Sequence, residues 1–331
     1  MFIFYFDCGT SRTRGYLLQH GKIVDTSKAD VGSKDVSIKK DKALLISAMR
    51  VIYDSILEKH NLSDCDICRI YASGMVTSPY GLTEIPHSVT PIDKEGLKED
   101  ICNYFEETAF KREIMLIPGL KTSSSKATYE NIELLNNVRG EETEAFGICM
   151  HIPEEWKAWK YAVIIPGSHT HSLLFEGETI SDIYSTFSGE FFHAVTTATI
   201  LSGAVFTEEP CGESPDDMQP VQIGCGLLKK YGMSRAAYII HAMKIFDVWD
   251  GTKRRECLSA VINGAVMESI ARHMSNAWKD VKYIIIYGDK GILETYKEAV
   301  KQFMPDMSES VLTIDRNEHN CAVEGFMNII E

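Results

Sequence analysis

The first eighteen residues constrain the fold more than any other stretch. Met1-Phe-Ile-Phe-Tyr-Phe6 leads into Asp7-Cys-Gly-Thr-Ser-Arg-Thr-Arg14, and then into Gly15-Tyr-Leu-Leu18. The spacing predicts a strand, a tight polar turn and a second strand. The first strand is apolar at consecutive positions, so both of its faces must be covered, which places it in the middle of a sheet. Asp7 falls where that strand ends, Gly9 lets the backbone turn, and Thr10 and Ser11 offer hydroxyls and backbone N–H groups. A carboxylate beside a nest of N–H donors suits a phosphate with its metal ion. A P-loop differs, with a lysine after a longer glycine loop that runs into a helix. On its own, D-x-G-T-S fits a buried structural hairpin equally well.

With 331 residues the chain has room for two domains of roughly 150 residues each. Its net charge of -13 argues against a general nucleic-acid or anionic-membrane binder. An anionic substrate must be held by local donors or a metal, against the overall field. No apolar run reaches the roughly 20 residues of a membrane helix. The N-terminal apolar run lacks a basic flank and ends at Asp7, so it is read as a strand and not a signal peptide. Of nine cysteines, only Cys65 and Cys68 form a C-x-x-C, and no second pair at zinc spacing accompanies it. Reduced thiols in a cytoplasmic protein are the expectation.

Along the chain, Ile23–Ala29 reads as a third strand of an antiparallel meander and Lys42–His60 as an amphipathic helix. Cys68–Ala72 is a short buried strand that opens into Ser73-Gly-Met-Val-Thr-Ser-Pro-Tyr-Gly81, a loop rich in turn formers. Lys94–Phe110 has the spacing of one helix, Glu113–Pro118 that of a strand, and the serine-rich stretch 119–126 that of a loop. The first half thus reads β-β-β-α-β-α-β. Gly140 opens a helix with Glu141 and Glu142 in its first turn, where the helix dipole favours anions. Tyr161–Pro166 is a buried strand, Gly167–His171 a second polar glycine turn, and Ser172–Glu176 the returning strand; Thr179–Tyr184 follows after Gly177. This echoes the N-terminus as a weak repeat at about 160 residues, too long for a solenoid. It suits two similarly built domains facing each other across a cleft. A helix from Phe187 to Ile200, an irregular stretch 204–228 with Pro210, Pro215 and Pro220, helices over 234–246 and 257–278, a strand over 283–289 ending in a glycine turn, a helix over 294–304, a strand over 311–314 and a closing helix complete the reading.

The ordered segments resemble the 2-dehydro-3-deoxygalactonokinase family within the actin-like ATPase and sugar kinase superfamily. They are D-C-G-T-S-R-T-R-G-Y-L-L (7–18), S-G-M-V-T-S-P-Y-G-L-T-E-I-P (73–86), I-P-G-L (117–120), V-R-G-E-E-T-E-A-F-G (138–147), P-G-S-H-T (166–170) and T-F-S-G-E-F-F (186–192). They cover residues 1 to about 200 in the family's order; the remainder matches mainly at I-I-I-Y-G-D. Where the family pattern continues the second hairpin with lysine and tryptophan, this chain has His171 and Ser172. Leu82 replaces a usual tryptophan, and Arg12 a usual small polar residue.

The resemblance implies an α/β fold of two actin-like ATPase (ribonuclease H-like) domains, with mixed sheets and flanking helices, over residues 1–137 and 138–331. It implies a kinase that takes ATP and Mg²⁺ and phosphorylates the terminal hydroxyl of a sugar acid, 2-dehydro-3-deoxy-D-galactonate first among them. Phosphoryl transfer needs positioning, charge neutralisation and a carboxylate to accept the hydroxyl proton. Glu141, after Gly140, is the expected base, and the alternative is that Glu141 and Glu142 only complement the helix dipole. Asp7 is expected to hold Mg²⁺ through water. Gly9, Thr10 and Ser11 are expected to cradle phosphate from one side and Gly167, Ser168, His169 and Thr170 from the other. Arg12 and Arg14 are candidates for phosphate contact, and Arg14 equally for a structural ion pair. Ser73, Gly74, Met75, Ser78, Glu84 and Arg139 form the expected sugar-acid side, with Arg139 for the carboxylate or as a strut; Gly288 and Asp289 form the adenosine side. His169-x-His171 also fits a metal-hydrolase ligand pair. Two other classes remain, an actin-like ATPase acting as chaperone, filament or activator module, and a non-catalytic sugar-acid sensor. A homodimer is the expected assembly.

Overall fold

The structure is a computed structural model that describes residues 1–207 and 217–331. Its elements run β1 (Phe2–Cys8), β2 (Thr13–Gln19), β3 (Lys22–Ala29), α1 (Ser33–Lys39), α2 (Ala43–Lys59), β4 (Ile67–Gly74), β5 (Ser88–Val89), α3 (Lys94–Glu99), β6 (Cys102–Glu106), β7 (Arg112–Leu116), β8 (Leu120–Lys121), β9 (Asn137–Val138) and α4 (Glu141–Ile148). There follow β10 (Lys160–Pro166), β11 (His169–Glu176), β12 (Thr179–Phe187), α5 (Gly189–Ala198), α6 (Leu201–Ala204), α7 (Gln219–Ile245), α8 (Gly251–Asn276), β13 (Val281–Gly288), α9 (Lys290–Phe303), β14 (Val311–Asp315) and α10 (Cys321–Ile330).

One sheet has the order β3-β2-β1-β4-β7-β6 and another the order β12-β11-β10-β13-β14; β5, β8 and β9 form a small third sheet. In both large sheets an antiparallel meander is followed by strands parallel to its first member, β4 beside β1 and β13 beside β10. The chain divides into two compact units. The first holds Met1–His151, Glu178–Ile183 and Asn320–Glu331, and the second holds Ile152–Gly177 and Tyr184–His319.

In the first unit β1 is covered on both faces, as its unbroken apolar run requires. Phe4 packs on Tyr53 of α2 with ring centroids 4.8 Å apart, while Tyr5, on the opposite face, stacks on Phe326 of α10 at 4.2 Å. Each fully buried side chain of this size contributes about 1.5–3 kcal/mol. In the second unit Ile164, Ile284 and Ile286 of the central strands pack with Met267, Ile270 and Tyr296. Among the described residues no helix is long and apolar enough to cross a membrane.

The break between units differs from the expected 137/138. Residues 138–151 stay with the first unit because α4 lies directly on α10. Glycines permit this close crossing: a Cβ at Gly147 would stand 2.0 Å from the Cys321 carbonyl oxygen, and one at Gly325 1.8 Å from that of Thr143. The expected helix over 94–110 ends at Glu99, and Cys102–Glu106 is an antiparallel partner of β7. There Tyr104 and Phe105 favour a pleated strand, and the Glu106 carboxylate then closes a turn by accepting from the Ala109 and Phe110 N–H groups at 2.7 Å each. Residues 219–228, expected to be irregular, begin α7. Pro220 sits in its first turn, where its missing N–H costs nothing. Pro210 and Pro215 lie outside the described residues. Helix α1 had no signal in the apolar pattern, and β11 starts at His169, which shortens the second turn to Gly167–Ser168.

Candidate active site

The first turn is tied from behind. Gly9 N–H donates to the Arg12 carbonyl at 2.8 Å, and the leading amides of α1 donate to the turn, Ser33 to the Gly9 carbonyl at 3.3 Å and Lys34 to that of Thr10 at 2.9 Å. Gly32 has to be glycine for this, since a Cβ would stand 2.4 Å from the Thr10 oxygen. With its carbonyls held, the turn leaves Ser11 exposed and Thr10 half-buried. Asp7 pairs with Arg14 through Oδ2 at 2.8 Å, which makes Arg14 the structural partner of the carboxylate. Arg12, expected at phosphate, pairs instead with Asp30 at 2.7 Å on the surface.

Three segments far apart in sequence meet at this edge of the first sheet. The β1/β4 register sets Asp7 opposite Ser73 and Cys8 opposite Gly74. Gly74 has φ +80°, and a Cβ there would stand 2.5 Å from the Cys8 carbonyl oxygen. Gly140, with φ +111°, comes so close that its own Cβ would lie 3.4 Å from Gly74 Cα. The 73–86 loop is self-supporting. Ser73 Oγ is buried 2.6 Å from Tyr5 OH, and Ser78 Oγ donates to the Met75 carbonyl at 2.7 Å and accepts from Tyr80 N–H at 3.2 Å. Both serine hydroxyls, expected at substrate, thus brace the loop. Met75 is half-buried and Glu84 exposed.

Arg139 is the strut joining this loop to the Gly140 turn. It donates through Nη1 to Thr77 Oγ1 at 2.7 Å and through Nη2 to the Ile85 carbonyl at 3.1 Å, and it lies 3.4 Å from His87 Nδ1. Burial, followed by the charges of Arg139 and Lys121, lowers His87 to about 4, so its ring is neutral near pH 7. Glu141 opens α4, half-buried, and accepts the Arg139 N–H through Oε2 at 3.1 Å. Glu142 is wholly buried and accepts the Gly140 N–H at 2.7 and 2.9 Å. Burial first, then the charge of Glu141, push the Glu142 carboxyl up to about 8. Adjacent carboxyls in unlike surroundings are a usual way of dividing roles between two acids.

In the second unit, Gly167 and Ser168 are exposed at the tip of the β10/β11 turn, and the first amides of α5 hold their carbonyls, Gly189 N–H to Gly167 at 3.2 Å and Glu190 N–H to Ser168 at 2.8 Å. A Cβ at Gly189 would stand 2.4 Å from the Gly167 oxygen. His169 Nε2 lies 3.4 Å from Glu190 Oε2. Thr170, expected at phosphate, is buried, with Oγ1 2.9 Å from Ser188 Oγ and 2.7 Å from Tyr296 OH. A cavity of about 260 Å³ brings together Gly167, Gly189, Asn263, Asp289 and Arg316. Gly288 ends β13 and accepts the Arg316 N–H at 3.0 Å, and the Arg316 guanidinium lies over the Tyr287 ring at 4.9 Å. Sequence reasoning missed Asn263 and Arg316, which sit inside a helix and after an edge strand with no motif around them. A larger cavity of about 510 Å³ among α5, α7 and α8 is lined chiefly by apolar side chains such as Phe191, Val195, Met233 and Val261 and holds none of the expected residues.

His171 is buried, and burial lowers it to about 4. Its Nδ1 lies 2.8 Å from Ser185 Oγ. Neither His169-x-His171 nor the exposed Cys65 and Cys68 belong to a cluster of metal-ligating side chains among the described residues.

A family model described as 2-keto-3-deoxy-galactonokinase matches residues 7–327. Among solved structures, a Sinorhizobium meliloti protein described as a candidate 2-dehydro-3-deoxygalactonokinase superposes with a TM-score of 0.76 at 18% identity, covering 99% of this chain and 95% of that one. A reductive activator for a corrinoid, iron-sulfur protein superposes at 0.55 with 11% identity, covering 100% of this chain and 60% of its own. No curated protein sequence matches. The fold is the expected α/β fold, shared with the Sinorhizobium meliloti structure.

Proposed function

The chain belongs to the 2-keto-3-deoxy-galactonokinase family, and from that premise we propose that it transfers the γ-phosphoryl group of ATP to the terminal hydroxyl of 2-dehydro-3-deoxy-D-galactonate, with Glu141 as the base. It is a sugar-acid kinase, and the family implies ATP as the donor. The observation that carries the residue assignment is the Gly140 turn. Its positive φ and its contact with Gly74 present Glu141 at the head of α4, beside the Asp7 end of β1 and the 73–86 loop.

Glu141 takes the proton of the substrate hydroxyl as its oxygen bonds to the γ-phosphorus. The bond from that phosphorus to the β–γ bridging oxygen breaks, and ADP leaves with the electron pair. Glu142, held on the Gly140 N–H, fixes the turn from which Glu141 projects. The donor chemistry at Asp7 fits Mg²⁺: a hard carboxylate at a strand end, with Arg14 on Oδ2, beside the hydroxyls of Thr10 and Ser11. Asp7 would hold the ion, which would supply charge neutralisation for the transferred phosphoryl group. Gly9, Thr10 and Ser11 are assigned to phosphate on the first unit and Gly167, Ser168 and His169 on the second. Asp289, with Asn263 and Arg316, is assigned to the nucleoside through the 260 Å³ cavity. Met75 and Glu84 are assigned to the sugar-acid side, with Arg139 holding their loop. A cytoplasmic location and a homodimer complete the reading.

The test is ATP consumption with and without a panel of 2-keto-3-deoxy acids. Turnover that requires an acid, greatest with 2-dehydro-3-deoxy-D-galactonate, is expected. Hydrolysis indifferent to every acid would instead indicate an activator-type ATPase, and acid binding without turnover a sensor.

A further inference from the structure

A second cluster of chemistry-bearing side chains lies in the first unit, at the far end of α4 from Glu141. Helix α4 runs into a short 3₁₀ turn, Cys149–His151, and the His151 side chain reaches the first turn of α10. Cys321 and Glu324 stand three residues apart on α10 and so share one face of it. His151 Nε2 lies 2.6 Å from Glu324 Oε2, and the His151 nitrogen, the Cys321 sulfur and the Glu324 carboxylate oxygen all lie within 4.8 Å of one another. Cys321 is fully buried, whereas the side chains of His151 and Glu324 are 26% and 32% exposed.

We propose that His151, Cys321 and Glu324 form a binding site for a zinc-class divalent cation, with the fourth position open to water. The donor set of one imidazole, one thiolate and one carboxylate suits a borderline-soft tetrahedral ion, whereas Mg²⁺ takes oxygen ligands only. Bonds of about 2.0–2.3 Å put these tetrahedral ligand atoms about 3.3–3.6 Å apart. The three atoms reach that spacing when the half-exposed His151 and Glu324 side chains part slightly, while Cys321 stays fixed in the α4/α10 crossing. Three ligands plus water is the open pattern of zinc sites. Here it clasps α10 to the end of the helix that begins with Glu141. The site stands apart from the kinase reading and does not depend on it.

Cobalt is the probe. The full chain, stripped with a chelator and held in excess Mg²⁺, is titrated with Co²⁺ and followed by absorbance and thermal unfolding. One Co²⁺ per chain, a thiolate-to-cobalt charge-transfer band and a raised Tm are expected. Losing a ligand costs at least the roughly 10-fold in affinity that outer-shell losses cost, so His151→Gln and Glu324→Gln weaken Co²⁺ by that much or more. Cys321→Ser abolishes the band, and Cys65→Ser/Cys68→Ser leaves it intact. Because Cys321 is buried, the half-exposed His151→Gln decides the matter if Cys321→Ser does not fold. Absence of stoichiometric Co²⁺, a Co²⁺ affinity unchanged in His151→Gln, or a band that disappears with Cys65→Ser/Cys68→Ser would overturn the proposal and leave His151–Glu324 an ion pair only.

Discussion

In both halves of the chain a covered strand turns sharply into an antiparallel partner, and the first amides of a later helix hold the carbonyls of the turn. Ser33 and Lys34 do this for Gly9 and Thr10, and Gly189 and Glu190 for Gly167 and Ser168. Each clamp depends on a glycine whose Cβ would stand 2.4 Å from the carbonyl it approaches. With the carbonyls occupied from behind, the N–H groups of each turn, apart from that of Gly9 on the Arg12 carbonyl, can face outward, which is the common requirement of a phosphate cradle. The two turns differ in what they carry. The first has Asp7 with Arg14 and, across the sheet edge, Gly140–Glu141. The second has no carboxylate in the turn itself, and its buried hydroxyl network of Thr170, Ser188 and Tyr296 is neutral. In the proposed mechanism a shared scaffold carries metal and proton chemistry in one copy and only nucleotide-holding groups in the other.

Unequal losses of activity would sharpen this contrast most. Asp7→Asn is expected to lower kcat about 100- to 1,000-fold, the range for removing one electrostatic partner of a transition state, with Mg²⁺ titrations of the rate as the readout. His169→Ala, on the second turn, is expected to cost less than roughly 10-fold, as for one partly exposed contact. Equal losses would break the contrast. The shared scaffold is tested by stability. Gly32→Ala and Gly189→Ala should each cost about 1–3 kcal/mol from overpacking against backbone, by denaturant unfolding. Gly226→Ala, where a Cβ meets nothing within 4 Å, should be neutral or slightly stabilising.

A further effect separates the two regions by pH. Glu142 has a folded pKa of about 8, above its unfolded value of about 4.3. Its contribution is therefore complete below the unfolded value and lost as pH rises through the folded one. Wild-type stability should carry a downward slope between about pH 4.3 and 8 that Glu142→Gln removes. Thr170→Val, which breaks neutral hydrogen bonds, should cost about 1–3 kcal/mol with no such slope. Denaturant midpoints across that pH range give both.

What the sequence made legible follows from which interactions are local. The hairpins, the apolar β1 and the Gly140 helix start were readable because turn chemistry and periodicity act over a few residues. The six ordered segments were enough to identify the family. Three features were not readable. The end of α3 at Glu99 is set by pairing with β7, a partner that follows in sequence. The assignment of α4 to the first unit rests on Gly147 and Gly325, which meet only when α10 returns from the far end of the chain. Polar residues in a motif can also face inward. Ser73, Ser78 and Thr170 carry motif positions yet bond to the protein itself, and Arg12 finds Asp30. A motif gives the residue type, and only the packed structure gives its direction.

In the proposed mechanism the first region supplies the proton acceptor. The most direct test of this is phosphoryl transfer to the sugar acid by folded Glu141→Gln, with ATP and acid binding measured alongside. A rate about 100- to 10,000-fold below wild type, with both ligands still bound, is expected. A near-wild-type rate in that variant would contradict that assignment.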